Sequence, residues 1–343
     1  NEQIAVWEGH KYTKEEARRA SGIQTVLWLS EMQTVMTPLM HAAAAIYLNT
    51  NEHNRQGARM PYYDLRFANE MRERFPLHRY ERSAPLMHRL RAIKSEAEIE
   101  LMKTAVNITG KALQRTLRFV RPGRMEHEIE AEIIHEFIRN RATGHAYEPI
   151  IASGANACVL HYTANNQPCK EGDLLLMDFG SEYANYSSDL TRTIPVSGTF
   201  TARQRQVYDA VLRVFKQARE MLVPGALLPD YEKAVGKVME EELIKLKLLD
   251  AAEVKKQDPK APLYKKYYMH GTSHFLGLDT HDVGIMTEPL REGMVLTCEP
   301  GIYIPEESLG IRLENDIMVT AKGPRDLMDE AGIPLEADDI VEA

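Results

Sequence analysis

Apolar positions recurring every three to four residues mark long helices in the middle of the chain. Ile99, Met102, Val106, Leu113 and Leu117 form one stripe, the period of an amphipathic helix. Ser95 and Glu98 make a capping box ahead of it, since a serine hydroxyl and a glutamate three residues on satisfy each other's orphan amides. Val120-Arg-Pro-Gly123 stops that helix. A second amphipathic helix is expected from Glu126 to Asn140. The pattern then changes to short apolar runs, EPIIAS and LLLMDFG, on either side of the turn-rich GANACVLHYTANNQPCKEGD. Runs of that length bounded by Gly, Asn and Asp predict strands.

A helix–Pro-Gly–helix unit recurs about a hundred residues later. Thr201 and Gln204 box the start of one helix, Leu222-Val-Pro-Gly-Ala226 ends it, and another helix is expected from Asp230 to Leu243. The echo suggests a domain of two similar α/β halves. Chance recurrence of a common turn is the alternative that the residues leave open.

The first ninety residues read as a small α/β piece. Thr13 and Glu16 form a capping box, and the helix it starts should end near Gly22. Ile23–Leu29 is rich in apolar residues and is expected to be a strand, with a helix as the alternative. HAAAAIYLN around Ala44 is a short strand or helix, Asn51–Pro61 a loop, and Leu65–Phe75 a helix ending before Pro76. The segment from Pro85 to Ser95 is the expected domain boundary, giving a domain over 1–90 and another over 91–343.

Composition narrows the classes. Hydrophobic content of 44% and charged content of 27% over 343 residues are those of a globular protein with room for two domains. A formal net charge of −8 with no basic stretch argues against a nucleic-acid partner. No apolar run approaches the ~18 residues of a membrane span. Three cysteines without CxxC spacing read as free thiols in a reducing compartment, so a cytoplasmic location is expected. Residue 1 is Asn rather than Met, which leaves room for a start or a targeting segment upstream.

The chemistry lies between Asp178 and Glu314. Asp178 ends the run Leu174–Met177, Asp189 stands in SSDLTRT, His274 in MHGTSHFLGLDTHDVG, Glu299 in TCEPGIYI and Glu314 in GIRLENDI. The Gly180-Ser181 pair suggests a turn that puts the two aspartates on adjoining strands of a hairpin, close enough to share a cation. Taken alone, Asp178 would be a strand-end aspartate capping a turn. His270 and His274 have HxxxH spacing, but Gly271, Gly277 and Gly284 argue against a regular helix there. Arg312 and Glu314 share a face if the segment is a strand, so Arg312 either orients a carboxylate or makes a surface ion pair. Four carboxylates balance two divalent cations in charge, which lets such ligands be buried together. Two adjacent cations can lower the pKa of a shared water and stabilise charge on an attacked carbonyl. Oxygen-rich ligation favours Mn²⁺ or Mg²⁺, with Zn²⁺ and Co²⁺ compatible.

These strings, with Val159-Leu-His-Tyr-Thr163, resemble the aminopeptidase P / prolidase / methionine aminopeptidase superfamily of pita-bread metallopeptidases, and within it the Xaa-Pro aminopeptidases. The resemblance runs from about Arg91 to Glu314. It implies an α+β fold: a pita-bread catalytic domain of two duplicated halves behind a short or truncated α/β N-terminal domain. It also implies release of the N-terminal residue from peptides with proline second, by two divalent cations, Mn²⁺ foremost, and a bridging water. Asp178, Asp189, His274, Glu299 and Glu314 would hold the cations, with Glu299 also handling the water's proton. His161 and His281 would act on the scissile carbonyl, and His270, Tyr303 and Arg312 would line or support the pocket. A homodimer or higher oligomer is expected. A prolidase restricted to Xaa-Pro dipeptides is the near alternative, and a non-catalytic binding module on the same fold is the distant one.

Overall fold

A computed structural model describes residues 2–52 and 62–342. The chain divides into two units, Asn1–Leu86 and Met87–Ala343.

The first unit contains α1 (Glu2–Glu8), α2 (Lys14–Ser21), α3 (Met32–Ala42), β1 (Ala45–Leu48), α4 (Tyr63–Arg74) and β2 (Arg79–Arg82). Thr13 caps α2 through the expected box, and Gly22 closes it in the left-handed conformation at φ +72°. Strands β1 and β2 pair in parallel. They pack on α3 and α4 through Met40, Leu48, Ala68 and Met71. Ile23–Leu29 is not a strand. It has no ladder partner among the described residues, and Ile23, Leu27 and Trp28 are exposed; apolar composition without a facing strand does not make a sheet. The loop expected over Asn51–Pro61 lies, from 53 to 61, outside the described residues.

Helix α5 (Ala84–Ala92) leads into the second unit. There α6 (Glu96–Phe119) and α7 (Glu126–Arg139) are followed by β3 (Gly144–His145), β4 (Ile150–Ser153), β5 (Leu174–Phe179), β6 (Ser181–Tyr183), β7 (Tyr186–Ser187) and β8 (Leu190–Pro195). Next come α8 (Ala202–Glu220), α9 (Leu228–Lys245), α10 (Ala251–Val254), β9 (Val295–Cys298), β10 (Gly301–Ile304), β11 (Leu309–Arg312), β12 (Asn315–Met318) and β13 (Arg325–Asp326).

The helix–Pro-Gly–helix echo is structural. Gly123 and Gly225 turn the two helix pairs at φ +89° and +90°. Each donates its N–H to a carbonyl five residues ahead of the first carboxylate-bearing strand of its half: Gly123 to Cys169 before β5, and Gly225 to Leu290 before β9, both at 2.8 Å. Each half then builds a three-stranded antiparallel sheet, β4-β5-β8 in the first and β13-β12-β9 in the second. The correspondence extends to the carboxylates. Asp178 and Glu299 each stand four residues after the first residue of β5 or β9, and Asp189 and Glu314 each immediately precede β8 or β12. A bridge between Thr191 and Glu314 joins the two sheets.

One core spans both halves. Met102, Leu113, Ile129, Phe137, Val207, Phe215, Val235 and Met239 from the helices meet Leu175, Met177, Leu296 and Ile317 from the strands. Successive strand residues point to opposite faces. Leu176 therefore turns away from that core and packs in a smaller cluster with Tyr303. Asp178, two residues on, faces the same side. Burial on both faces explains why β5 reads as the unbroken run Leu174–Met177.

Candidate metal centre

The two aspartates stand at adjoining antiparallel strands, β5 and β8, as expected, but the turn lies elsewhere. Gly180 and Ser181 do not turn the chain. It reverses at Ala184–Asn185, whose φ values of +50° and +69° make the two-residue turn between β6 and β7. Gly180 instead permits close approach, because a Cβ there would lie 1.7 Å from the Ser188 carbonyl oxygen. Asp178 sits opposite Thr191 in the β5–β8 register, so the two aspartates meet diagonally. The phenolic oxygen of Tyr147 spans them, 2.5 Å from Asp178 Oδ1 and 2.5 Å from Asp189 Oδ1. Burial, with Asp178 and Asp189 adding, pushes the Tyr147 hydroxyl well above the usual phenol range, so it keeps its proton and donates.

His270 and His274 lie on irregular backbone rather than a helix. The His274 amide donates to Thr297 Oγ1, and the Thr297 amide returns a bond to the His274 carbonyl, at 3.1 and 2.9 Å. His274 Nδ1 lies 3.0 Å from the Phe275 carbonyl. A carbonyl only accepts, so Nδ1 carries the proton and Nε2 is left facing the carboxylates. Nε2 stands 3.4 Å from Asp189 Oδ2 and 3.5 Å from Glu299 Oε1. The His281 ring packs edge-on to His274, centroids 4.4 Å apart.

Glu314 enters from the start of β12, with Thr191 Oγ1 donating to its Oε2 at 2.6 Å. Arg312 is 4% exposed, which removes the reading as a surface ion pair. Its guanidinium donates to Asp178 Oδ2 at 2.5 Å, Tyr303 Oη at 2.8 Å and Thr191 Oγ1 at 3.1 Å. His270 Nδ1 donates to the Gly271 carbonyl at 2.7 Å, so Nε2 accepts from the Tyr303 hydroxyl at 2.8 Å. Protons thus run in one sense, from Arg312 to Tyr303 to His270. Burial, with the Arg312 charge beside it, lowers His270 to about 3, so this imidazole is neutral. His161 lies on the exposed segment after the turn Gly154–Cys158, near enough for its charge to bear on His270.

Among the described residues, Asp189, His274 and Glu314 each offer a ligand atom within 4.8 Å of one another. Asp178 and Glu299 border this trio, through Tyr147 and His274 respectively. The donor set fits hard divalent cations: buried carboxylate oxygens and one oriented imidazole nitrogen. Electrostatics point the same way. Burial and the charges of Asp189, Glu299 and Asp178 push Glu314 well above the carboxylate range. Glu299 is raised to about 7, by burial first, with His274 opposing and Asp189 adding. Burial also raises Asp178, against the pull of Arg312. Carboxylates so crowded lack positive charge, which cations would supply.

Three residues at this centre escaped the sequence reading. Tyr147 precedes β4 with nothing in its neighbours to mark it. Thr191 was legible, because it stands two residues after Asp189 and strand alternation turns both to one side. Asp316 accepts the Asp189 amide at 3.2 Å from the opposite sheet, a contact that no local pattern announces.

Known proteins give this geometry its place. The family model for metallopeptidase family M24 matches residues 100–321. The chain is 35% identical over 349 residues to Xaa-Pro aminopeptidase of Haemophilus influenzae, covering 98% of this chain and 78% of that protein. It is 35% identical over 344 residues to Xaa-Pro aminopeptidase of Escherichia coli, covering 94% and 76%. Aminopeptidase P from E. coli in its low-pH form superposes over all of this chain and 80% of its own, with a TM-score of 0.88 and 32% identity. Proline aminopeptidase P II from Yersinia pestis does so over all of this chain and 81% of its own, with a TM-score of 0.84 and 33% identity. The chain belongs to metallopeptidase family M24 and carries its pita-bread fold.

Proposed function

We propose that this enzyme releases the N-terminal residue from peptides with proline in second position. The observation that carries the proposal is the convergence of Asp189, His274 and Glu314 within 4.8 Å, bordered by Asp178 and Glu299. These five residues hold two divalent cations, with Mn²⁺ the ion their oxygen-rich set favours. When bound, such cations polarise the scissile carbonyl and make a water nucleophilic near neutral pH.

The chain's own side chains do the rest. Asp189 and Glu314 would hold the cations together with His274 from the middle of the cluster, and Asp178 and Glu299 would hold them from its border. Glu299, half-buried beside His274, takes up the proton of the attacking water and returns it to the leaving nitrogen. His281, packed on His274, and His161 hold the carbonyl as it becomes tetrahedral. His270, neutral and held by Tyr303, lines the substrate side, and Arg312 fixes Asp178 and Tyr303 at once. The substrate bond is a tertiary amide with no N–H and a ring-fixed φ, so the cleft must take the ring by shape. No helix among the described residues is long and apolar enough to cross a membrane; we place the enzyme in the cytoplasm as a homodimer or higher oligomer.

Hydrolysis of Xaa-Pro and Xaa-Pro-Yaa peptides by Mn²⁺-loaded protein tests the reading. Cleavage of the tripeptide is expected; cleavage confined to dipeptides would replace the aminopeptidase with a prolidase. Binding of peptides without hydrolysis of either would leave a binding module.

Tyr147→Phe removes the hydroxyl shared by Asp178 and Asp189 without changing the ring. Partners behind metal ligands typically contribute about 10–100-fold in affinity. Titration calorimetry with Mn²⁺ should show a weakening in that range; an unchanged affinity would remove Tyr147 from the centre.

A further inference from the structure

His281 rides on a strap whose next residue is anchored at a distance from the metal centre. Asp282 is buried, and its side chain, like that of Lys94, is 1% exposed. Lys94 Nζ lies 3.5 Å from Asp282 Oδ2. Arg91 donates from Nη2 to Asp282 Oδ1, and to Asp279 Oδ2 at 2.8 Å. Arg91 lies in the last turn of α5 and Lys94 leads into α6, so two basic residues ahead of the first long helix grip a strap nearly two hundred residues later. The Lys94 amide is itself fixed to the Gly293 carbonyl at 2.8 Å.

The strap is closed on itself as well. The Asp282 amide donates to the Phe275 carbonyl at 2.8 Å, and the Gly277 amide to the Asp279 carbonyl at 3.1 Å. Thr280 Oγ1 reaches the Ala146 carbonyl at 3.3 Å. Gly277 is required by the anchor, since a Cβ there would lie 2.3 Å from Asp282 Oδ2 and 2.9 Å from Lys94 Cε. His281 is thus held on both sides in sequence, and its ring meets His274 at 4.4 Å.

A buried ion pair is a weak device for stability, because desolvation offsets most of the attraction. Well-packed apolar side chains in place of such a pair are often no less stable. A fixed register, by contrast, is what a directional charged contact supplies and an apolar one does not. Burial lowers the Lys94 ammonium from its ordinary value while the Asp282 charge raises it, so the ammonium depends on this carboxylate.

We propose that Asp282, clamped by Arg91 and Lys94, is a positioning residue that sets the His281 imidazole over the metal-ligand cluster. This rests on the reading of His281 as a substrate-contacting residue. Asp282 acts through His281 and does not itself touch the substrate.

A double-mutant cycle tests it. In Mn²⁺-loaded enzyme, Asp282→Asn should lower kcat on an Xaa-Pro-Yaa peptide by about 10–100-fold, the usual effect of a supporting residue, with KM and bound Mn²⁺ little changed. In a His281→Ala background the same substitution should cost nothing further, because its effect runs through the missing ring. Additive losses would overturn the proposal. Arg91→Met, with a side chain 27% exposed, reads the same coupling if Asp282→Asn folds poorly. Arg89→Met, which removes a side chain 46% exposed and paired with Glu288 rather than with the strap, should leave activity unchanged. Should His281→Ala prove silent, the substrate role of His281 fails, and the positioning claim is then read from the His281 imidazole NMR signals. They must shift in Asp282→Asn; signals identical to those of the parent overturn it.

Discussion

Asp189→Asn is expected to abolish peptide hydrolysis while leaving the fold intact. The substitution keeps the shape of the side chain and removes one negative charge from the middle of the cluster. Asp189 Oδ2 faces His274 Nε2 at 3.4 Å, and Oδ1 faces Tyr147, so no other carboxylate touches both. Losing a proposed ligand at that position should cost about 4 kcal/mol of transition-state stabilisation, roughly a thousandfold in kcat/KM. The same change relieves repulsion. Among neighbouring charges, Asp189 contributes most to raising Glu314. Metal-free Asp189→Asn should therefore melt no lower than the metal-free parent. Added Mn²⁺ should stabilise the parent by mass action and fail to stabilise the variant. Thermal melts with and without Mn²⁺, beside an assay, check both halves. A variant with parental activity and Mn²⁺ response would remove Asp189 from the centre.

The second large effect is expected on stability, at a residue that touches the backbone behind the metal centre. Arg192 is fully buried on β8, on the face opposite Thr191 and Thr193. Its guanidinium donates to the carbonyls of Pro334 at 2.6 Å, Thr191 at 2.9 Å and Glu314 at 2.8 Å, and to Asn315 Oδ1 at 2.7 Å. It therefore ties the first sheet to the residue that opens the second. Arg192→Met leaves these acceptors without their donor in a dry interior, at about 3–5 kcal/mol. For a unit of this size that is a fall in Tm on the order of 10 °C. Arg192→Lys should recover little, since one ammonium cannot reach acceptors spread around a planar fork. A Tm unchanged in Arg192→Met would mean that the two sheets do not depend on this joint.

Much of the second unit was legible because its signals are local. The capping boxes at Ser95 and Thr201 and the stripe through Ile99, Met102 and Val106 depend only on neighbours a turn apart. The Pro-Gly turns gave the duplication, whose halves share even the left-handed glycines. Where the reading failed, the deciding partner was elsewhere. Ile23–Leu29 has the composition of a strand but no strand to pair with among the described residues. Gly180 looked like a turn residue, and its actual role is clearance for the Ser188 carbonyl.

The residue types of the centre, their order and their charge are properties of the chain, since Asp178, Asp189, His274, Glu299 and Glu314 can be named and counted in one dimension. Which of them meet is not. Asp189 and His274 are brought to a shared point only because two antiparallel sheets abut at Thr191 and Glu314. The same holds for the proton on His274 Nδ1, the Tyr147 oxygen between two aspartates and the burial of Arg312. Hydrogen bonds and desolvation act over a few ångströms, so sequence sets what the ligands are, and packing alone sets their distances, their protons and their charge.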